Sequence, residues 1–403
     1  MRALVLAAGK GRNLSSLTET RPKSMIRLCG KPFLQYTLEN LREIGITDIT
    51  IVIGHERESI INYFGRGDNL DLKIEYVIQE EQNGIGNAVL LSEKRFPIDE
   101  HFILAYGDIL TSGNIFKKCS QSFNSLRAPV ASIVLTPVAH RYGNIYMDEA
   151  IRIAKIVEKP KRTDLGNYVL AGAFILPGDF FKILKENECD MEQAFNLLLS
   201  LQGLYASIWD EEWIDIGYPW NILSANKIKM DVWDRINISG KAKIEGYVSI
   251  NGPVWIDDDA IIKSGAVLEG PCYIGKNSYV GNNALIRKYT SLGMNSVVGY
   301  GVELKNSVLF GNSWIGRLSF IGDSVIGESV KIGSGTVTVN EKLEDKTISV
   351  AINDHVIDSQ LKKLGSFIGD FTKVGASNTL LPGTFIHSNQ IIPHKGTVEI
   401  SEF

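Results

Sequence analysis

Cysteine is scarce: the four in 403 residues, Cys29, Cys119, Cys189 and Cys272, stand far apart and form no Cys-x-x-Cys pair. That spacing speaks against a disulfide framework or a cysteine zinc site and points to a reducing compartment. An excess of either charge is missing too, with 42 Lys and Arg against 46 Asp and Glu and a formal net charge of −4. No polybasic face is on offer to nucleic acid or to an anionic membrane, so no nucleic-acid or membrane partner is expected and small polar ligands fit better. Long apolar runs are absent as well. The opening run Met1-Arg2-Ala3-Leu4-Val5-Leu6 stops at Gly9, too brief for a signal-peptide core or a membrane span, and a cytoplasmic protein is expected.

What is present is a six-residue ruler. Every sixth residue from Ile238 through Ile244, Ile250 and Ile256 to Leu304 is aliphatic, and four residues after most of them stands a small or β-branched side chain such as Ala242, Val248, Ala260 or Ser278. Each unit therefore carries two inward positions, and three units make one coil of a triangular parallel β-helix. The beat slips by one residue and resumes at Leu309, Ile315 and Ile321, slips again to Ile326 and Ile332, and returns from Ile368 to Val398. Residues 340–367 break it and are rich in charge, including Glu341, Lys342, Glu344, Asp345, Lys362 and Lys363. They read as an insertion looping from the solenoid, a place where repeat proteins gather binding surface as readily as idle loop.

The first half is patterned differently. Apolar runs at Leu4–Ala7, Ile49–Ile53, Ile74–Ile78, Phe102–Leu104 and Val130–Leu135 alternate with helical patterns, in the manner of a parallel α/β sheet. Phe33 to Ile44 puts Leu34, Thr37, Leu38 and Leu41 on one helical face, and Gly45 supplies the stop. A second helical pattern, from Pro219 to about Arg235, lacks the Gly/Ser/Pro bias of a free linker and reads as a docked connector. A chain of this length exceeds one hydrophobic core. The expected division is 1–220 as a Rossmann-like α/β domain, 221–236 as a connecting helix and 237–403 as a parallel β-helix with its insertion.

The strongest local signal is Leu6-Ala7-Ala8-Gly9-Lys10-Gly11, a small-residue turn leaving the first strand, followed by Thr18 and Arg21-Pro22-Lys23. Glycines let backbone N–H groups approach a nucleotide, and a downstream lysine can neutralise phosphate charge. The turn lacks the third glycine of a dinucleotide fingerprint and is no P-loop; taken alone it is equally a tight connection.

This run, with Lys31-Pro32, Gln79 and Gly84, Tyr106-Gly107-Asp108, Tyr142-Gly143, Val157-Glu158-Lys159-Pro160, Ala171-Gly172 and Trp213-Ile214-Asp215-Ile216-Gly217, resembles the sugar-1-phosphate nucleotidylyltransferases in order and spacing. With the hexapeptide repeats, the whole chain resembles the archaeal two-domain members related to the bacterial bifunctional N-acetylglucosamine-1-phosphate uridylyltransferase. The resemblance implies a left-handed β-helix assembling as a homotrimer, and a reaction of nucleoside triphosphate with sugar 1-phosphate giving nucleotide-sugar and pyrophosphate. It further implies Asp108 and Asp215 as carboxylate ligands of Mg²⁺, and Lys23 as the group that binds the triphosphate or the attacking phosphate. Ala8, Gly9, Gly11, Gln79 and Gly84 would hold the nucleotide, and Gly143, Glu158 and Lys159 the sugar phosphate.

Three polar contacts of the family pattern are missing. The loop arginine is replaced by Asn13, with Arg12 one place early as the remaining candidate; Ile85 stands for a threonine and Leu170 for the sugar-binding asparagine. In the β-helix, the segment that carries the acetyltransferase histidine in bifunctional relatives reads Arg317-Leu318-Ser319-Phe320-Ile321-Gly322-Asp323. An arginine cannot accept a proton near neutral pH, so acetyl transfer is expected to be lost. Arg287 and Lys305 keep the phosphate-binding character and, with Arg317, mark a candidate anion site. Two readings of the whole follow: a Mg²⁺-dependent nucleotidylyltransferase, or a catalytically reduced paralogue that binds nucleotide-sugar and regulates an active enzyme.

Overall fold

The computed structural model describes residues 1–159, 167–353 and 355–398, so Pro160 of the Glu-Lys-Pro motif lies outside the described residues. The chain forms two compact units, one of Met1–Lys10 with Phe33–Asp215, the other of Gly11–Pro32 with the chain from Ile216 onward.

In the first unit a nine-stranded sheet runs in the order Ile153–Glu158, Gly143–Met147, Tyr168–Pro177, His101–Tyr106, Arg2–Leu6, Asp48–Ile53, Lys73–Ile78, with Val130–Leu135 and Tyr205–Trp209 branching from Tyr168–Pro177. The expected parallel pairing holds among Arg2–Leu6, Asp48–Ile53, Lys73–Ile78 and His101–Tyr106. Beyond them Tyr168–Pro177 pairs antiparallel with His101–Tyr106 and with Val130–Leu135, so the sheet is mixed. The ten-residue strand has one of these partners on each edge, Phe174 lying opposite both Leu104 and Ala131. Its register shifts between Leu170 and Phe174, a bulge at Ala171-Gly172 whose glycine has φ +84. The helix Phe33–Glu43 buries Phe33, Leu34, Thr37, Leu38 and Leu41, and Gly45 closes it with φ +81 and its N–H on the Arg42 carbonyl at 2.8 Å.

The second unit is a left-handed parallel β-helix of three eight-stranded sheets. Ile256, Ile274, Leu292, Leu309, Ile326, Ile368 and Ile386 stack in register up one sheet, which is the six-residue beat counted three units at a time. The second inward positions, among them Ala260, Ala266, Ser278, Ala284 and Thr290, are buried between them. Ile238 and Ile244, in the opening coil, are 38% and 37% exposed. Glycine follows many of the aliphatic positions because coils stack so closely there: a Cβ on Gly299 would lie 2.7 Å from the Arg317 backbone nitrogen. The corners use left-handed residues, and asparagine recurs at them, as Asn277, Asn295 and Asn312 with φ of 57, 57 and 51. The break in the beat contains an antiparallel hairpin, Ser349–Ile352 with His355–Asp358, that buries Val350 and Ile352. The connecting helix spans Pro219–Asp231. Among the described residues no helix is long and apolar enough to cross a membrane, and all four cysteines are free thiols.

Candidate active site

At the carboxyl ends of the parallel strands the chain turns repeatedly on small residues. Ala7 donates to the Val52 carbonyl at 2.8 Å, and the buried Ala8 receives the Gln82 amide on its carbonyl at 3.2 Å. Gly54, which ends the neighbouring strand, lets these pieces meet: a Cβ there would stand 3.1 Å from the Ala8 carbonyl oxygen and 3.2 Å from that of Gln79. Gln79 is buried and its amide nitrogen donates to the Gly84 carbonyl at 3.1 Å and to Asn87 Oδ1 at 3.3 Å. Gly9 and Gly84 are different, because a Cβ on either would meet nothing within 4 Å. Gly84 has φ +88, a left-handed backbone that itself favours glycine, whereas at Gly9 neither packing nor φ demands it, as expected where a ligand must approach the backbone.

Next to this cradle stand the carboxylates. Gly107 donates to the Leu6 carbonyl at 2.9 Å and tightens the turn after His101–Tyr106. The short strand Ile109–Thr111 then pairs antiparallel with Trp213–Asp215, with Asp215 opposite Ile109. Asp108 and Asp215 are thereby brought together at one end of a two-stranded ribbon, although 106 residues of sequence lie between them. Their charges are felt at Tyr106, whose phenol is pushed well above its usual range first by burial, then by Glu158, Asp108 and Asp215. Among the described residues no three or more His, Cys, Asp or Glu side chains converge as a metal cluster. Two carboxylates are nonetheless a donor set that suits a hard divalent ion, since Mg²⁺ is commonly held by one or two carboxylates together with substrate phosphates.

The third group lies on the antiparallel edge. Glu158 sits opposite Gly143 in register, and a Cβ on Gly143 would come within 2.8 Å of Glu158 Oε2 and 3.3 Å of Leu170 Cδ1. Burial raises the pKa of Glu158, Lys159 at 3.8 Å lowers it and Glu192 raises it again, with a net upward result. Lys159 has φ +42 and its N–H donates to the Tyr142 carbonyl at 3.1 Å. The bulge at Ala171-Gly172 is seated here too: a Cβ on Gly172 would lie 3.1 Å from both Tyr106 and Ile109, and Trp213 Nε1 donates to the Ala171 carbonyl at 3.0 Å. The bulge thus puts Leu170 beside Gly143 and Glu158 and ties it to the aspartate ribbon.

Three sets anticipated from sequence are therefore united in the first unit: Ala8, Gly9, Gln79 and Gly84; Asp108 and Asp215; Gly143, Glu158 and Lys159. Gly11, Arg12 and Lys23 belong to the second unit. There Gly11 has φ +70 and sits against the Lys23 stem, at 3.1 Å from a built Cβ, while Thr18 Oγ1 donates back to the Gly11 carbonyl at 3.1 Å. Arg12 and Asn13 are both exposed. On the β-helix, Arg287 bonds Glu303 at 2.8 Å and reaches Glu269 at 3.7 Å, and Lys305 pairs with Asp323 at 3.4 Å, so both cations are matched by carboxylates. Arg317 is exposed and follows a strand of a different sheet. Tyr106, Gln82, Asn87, Gly54 and Glu192 were not singled out from sequence. Tyr106 was legible as the residue before Gly107-Asp108, whereas nothing local marks Glu192, which accepts the Glu158 backbone N–H at 2.9 Å.

The nucleotidyl transferase family model matches residues 2–231, and the model of the GMPPB C-terminal domain matches residues 268–402. The chain is 37% identical over 399 residues to the bifunctional protein GlmU of Methanococcus maripaludis, covering 97% of this chain and 93% of that one. It is 35% identical to the bifunctional sugar-1-phosphate nucleotidylyltransferase/acetyltransferase of Sulfurisphaera tokodaii, with 96% and 94% covered. Among solved structures, the UDP-glucose pyrophosphorylase of Acinetobacter baumannii superposes with a TM-score of 0.51 at 21% identity, over 56% of this chain and 91% of that one.

Proposed function

The chain belongs to the nucleotidyl transferase family, and from that membership we propose that it joins a nucleoside triphosphate to a sugar 1-phosphate, releasing pyrophosphate. The observation that carries the reading is the ribbon of Ile109–Thr111 with Trp213–Asp215, which sets Asp215 opposite Ile109 and so beside the turn that carries Asp108, while Asp108, Asp215 and Glu158 all act on the Tyr106 phenol. In the reaction a phosphate oxygen of the sugar 1-phosphate attacks the α-phosphorus, the bond from that phosphorus to the β-bridging oxygen breaks, and pyrophosphate leaves. No covalent intermediate on the protein is involved, so positioning and charge neutralisation supply the rate.

Gln79 and the Ala8-Gly9 turn hold the nucleotide, with Gly9 and Gly84 leaving the backbone open to it. Lys23 neutralises phosphate charge, Gly11 shapes the loop beside it, and Arg12 is the loop's own arginine. Glu158 accepts hydroxyl donors of the sugar, Gly143 leaves room beside it, and Lys159 meets the sugar phosphate. Asp108 and Asp215 would hold Mg²⁺. When bound, that ion withdraws charge from the phosphate oxygens it touches. The β-helix, lacking a base at Arg317, serves assembly as a homotrimer in a cytoplasmic enzyme, with 1–220 as the catalytic domain, 221–236 as connector and 237–403 as the solenoid.

The test is pyrophosphate release by the purified protein across nucleoside triphosphates and sugar 1-phosphates, with an added acetyl-CoA arm. Release that requires both substrates is the expected result, with no acetylated product. Silence across the panel from protein that still binds nucleotide-sugar would favour the regulatory reading.

The raised pKa of Glu158 has a kinetic sign. Below that pKa the carboxyl is protonated and loses its acceptor charge, so kcat/KM for the sugar phosphate is expected to fall with acidity at a pH above the usual glutamate range. In Glu158→Gln this inflection is expected to vanish, with KM for the sugar phosphate up about tenfold, the scale of a hydrogen bond to a charged group. An unchanged acid limb in the variant would remove Glu158 from the sugar site.

A further inference from the structure

The glycine-loop segment Gly11–Pro32 is built into the same compact unit as the β-helix, and one buried ion cluster holds it there. Arg21 and Asp370 side chains are 9% and 0% exposed and are directly bonded through Arg21 Nη2 and Asp370 Oδ2. The same guanidinium nitrogen reaches Glu328 Oε2 at 3.0 Å, and the guanidinium carbon stands 5.1 Å over the Phe310 ring. Asp370 also receives the Thr20 hydroxyl and, on Oδ1, the Glu328 backbone N–H at 2.6 Å. Glu328 is itself fixed by Asn312 at 2.8 Å, the end of a ladder in which Asn277 donates to Asn295 at 3.2 Å and Asn295 to Asn312 at 2.9 Å. Two lesser ties bracket the cluster. Glu19 Oε1 pairs with His387 Nδ1 at 2.7 Å, and the hairpin residue Asn353 donates to the Arg12 carbonyl at 3.1 Å.

A buried guanidinium with two carboxylates is an expensive device for holding a loop, since apolar packing would serve stability as well. It is specific, however: one nitrogen, Nη2, serves both carboxylates while the guanidinium lies over Phe310, so the side chain and the backbone that carries it are held in one place. Pro22, with φ −71, is the only residue between Arg21 and Lys23. Lys23 in turn packs on Gly11. The cluster therefore bears on the backbone at Lys23, which the resemblance assigns to phosphate, and through Lys23 on Gly11.

We propose that Arg21 and Asp370 are positioning residues for nucleotide turnover, through which coils of the β-helix orient the phosphate-binding loop. The inference rests on the nucleotidylyltransferase reading. It makes Asp370, 349 residues beyond Arg21, a determinant of triphosphate use without touching substrate.

The experiment uses the full chain and its Asp370→Asn, Arg21→Lys and Asn353→Ala forms, with amide hydrogen exchange and pyrophosphate-release kinetics measured side by side. In Asp370→Asn, amides of Leu14–Lys23 are expected to exchange at least tenfold faster while those of Ile286 and Leu304 in the solenoid core do not change. Its kcat/KM for the triphosphate is expected to drop about 10- to 100-fold, the cost of small misplacements of a reacting group, with KM for the sugar phosphate within twofold. Arg21→Lys keeps the charge but shortens the reach to Asp370 and Glu328 and loses the guanidinium over Phe310, and is expected to behave alike. Asn353→Ala, an exposed change that spares the coils, should raise KM for the triphosphate about threefold, as loss of one modest hydrogen bond does. Unchanged exchange in the segment would overturn the proposal whether or not the parent turns over. So would kinetics in Asp370→Asn that lose both substrates equally. Silence of the parent protein on every substrate pair would instead count against the nucleotidylyltransferase reading, and the exchange result would still decide whether Asp370 orders the loop.

Discussion

Asp108→Asn and Asp215→Asn proteins are each expected to lose pyrophosphate release by about 10³-fold or more, the scale on which removing one preorganised charge-stabilising group acts. Asparagine keeps the shape and one acceptor oxygen but carries no charge, so the change removes the Coulomb attraction for a divalent ion and leaves the ribbon pairing of Asp215 with Ile109 in place. The loss should not come with unfolding. Asp108 and Asp215 stand at the end of that short ribbon, and an isosteric change there breaks no backbone pairing. Both variants are therefore expected to melt close to the parent. Initial rates against Mg²⁺ concentration and thermal melts of the three proteins check this. Undiminished rates in both variants would remove the aspartates from the site.

How much of this was legible beforehand depends on how local the signal is. The six-residue beat is local, and it placed the core positions from Ile256 to Ile386 and the coil register together, because every coil repeats the same two inward positions. The helix Phe33–Glu43 and the first four strands were legible for the same reason. The mixed half of the sheet was not. Tyr168–Pro177 looks like any apolar run, and only pairing reveals antiparallel partners on both edges and a bulge in its register with Val130–Leu135. Of the proposed site residues, Asp108, Asp215 and Glu158 each stand in a short motif at its own strand end. Arg21 is marked in the sequence only as the residue before Pro22-Lys23, and Asp370 carries no mark, since an ion pair spanning 349 residues leaves no periodic or neighbouring trace. Exposure at Ile238 and Ile244 shows the limit of the beat itself: it marks which side chains face inward, not whether a further coil covers them.

That last distinction sets a second large effect. Leu304 and Ile244 hold the same place in the repeat, yet Leu304 is fully buried between Ile286 and Ile321 in the coils on either side, while Ile244 is 37% exposed in the opening coil. Leu304→Ala is expected to cost about 2–5 kcal/mol, the transfer of the lost methyl groups plus the cavity they leave. The cavity cannot collapse readily, because parallel ladders hold both flanking coils and the backbone at Gly299 already sits against that at Arg317. Ile244→Ala is expected to cost about 1 kcal/mol, since part of that side chain is already in water and only one neighbouring coil contributes contacts. Leu343→Ala, on a fully exposed side chain of the insertion, should fall within about 0.5 kcal/mol of the parent. Denaturant midpoints at constant slope measure all three. Equal losses for Leu304 and Ile244 would mean that the stability of the solenoid is set by its ladders and not by the core that the six-residue beat encodes.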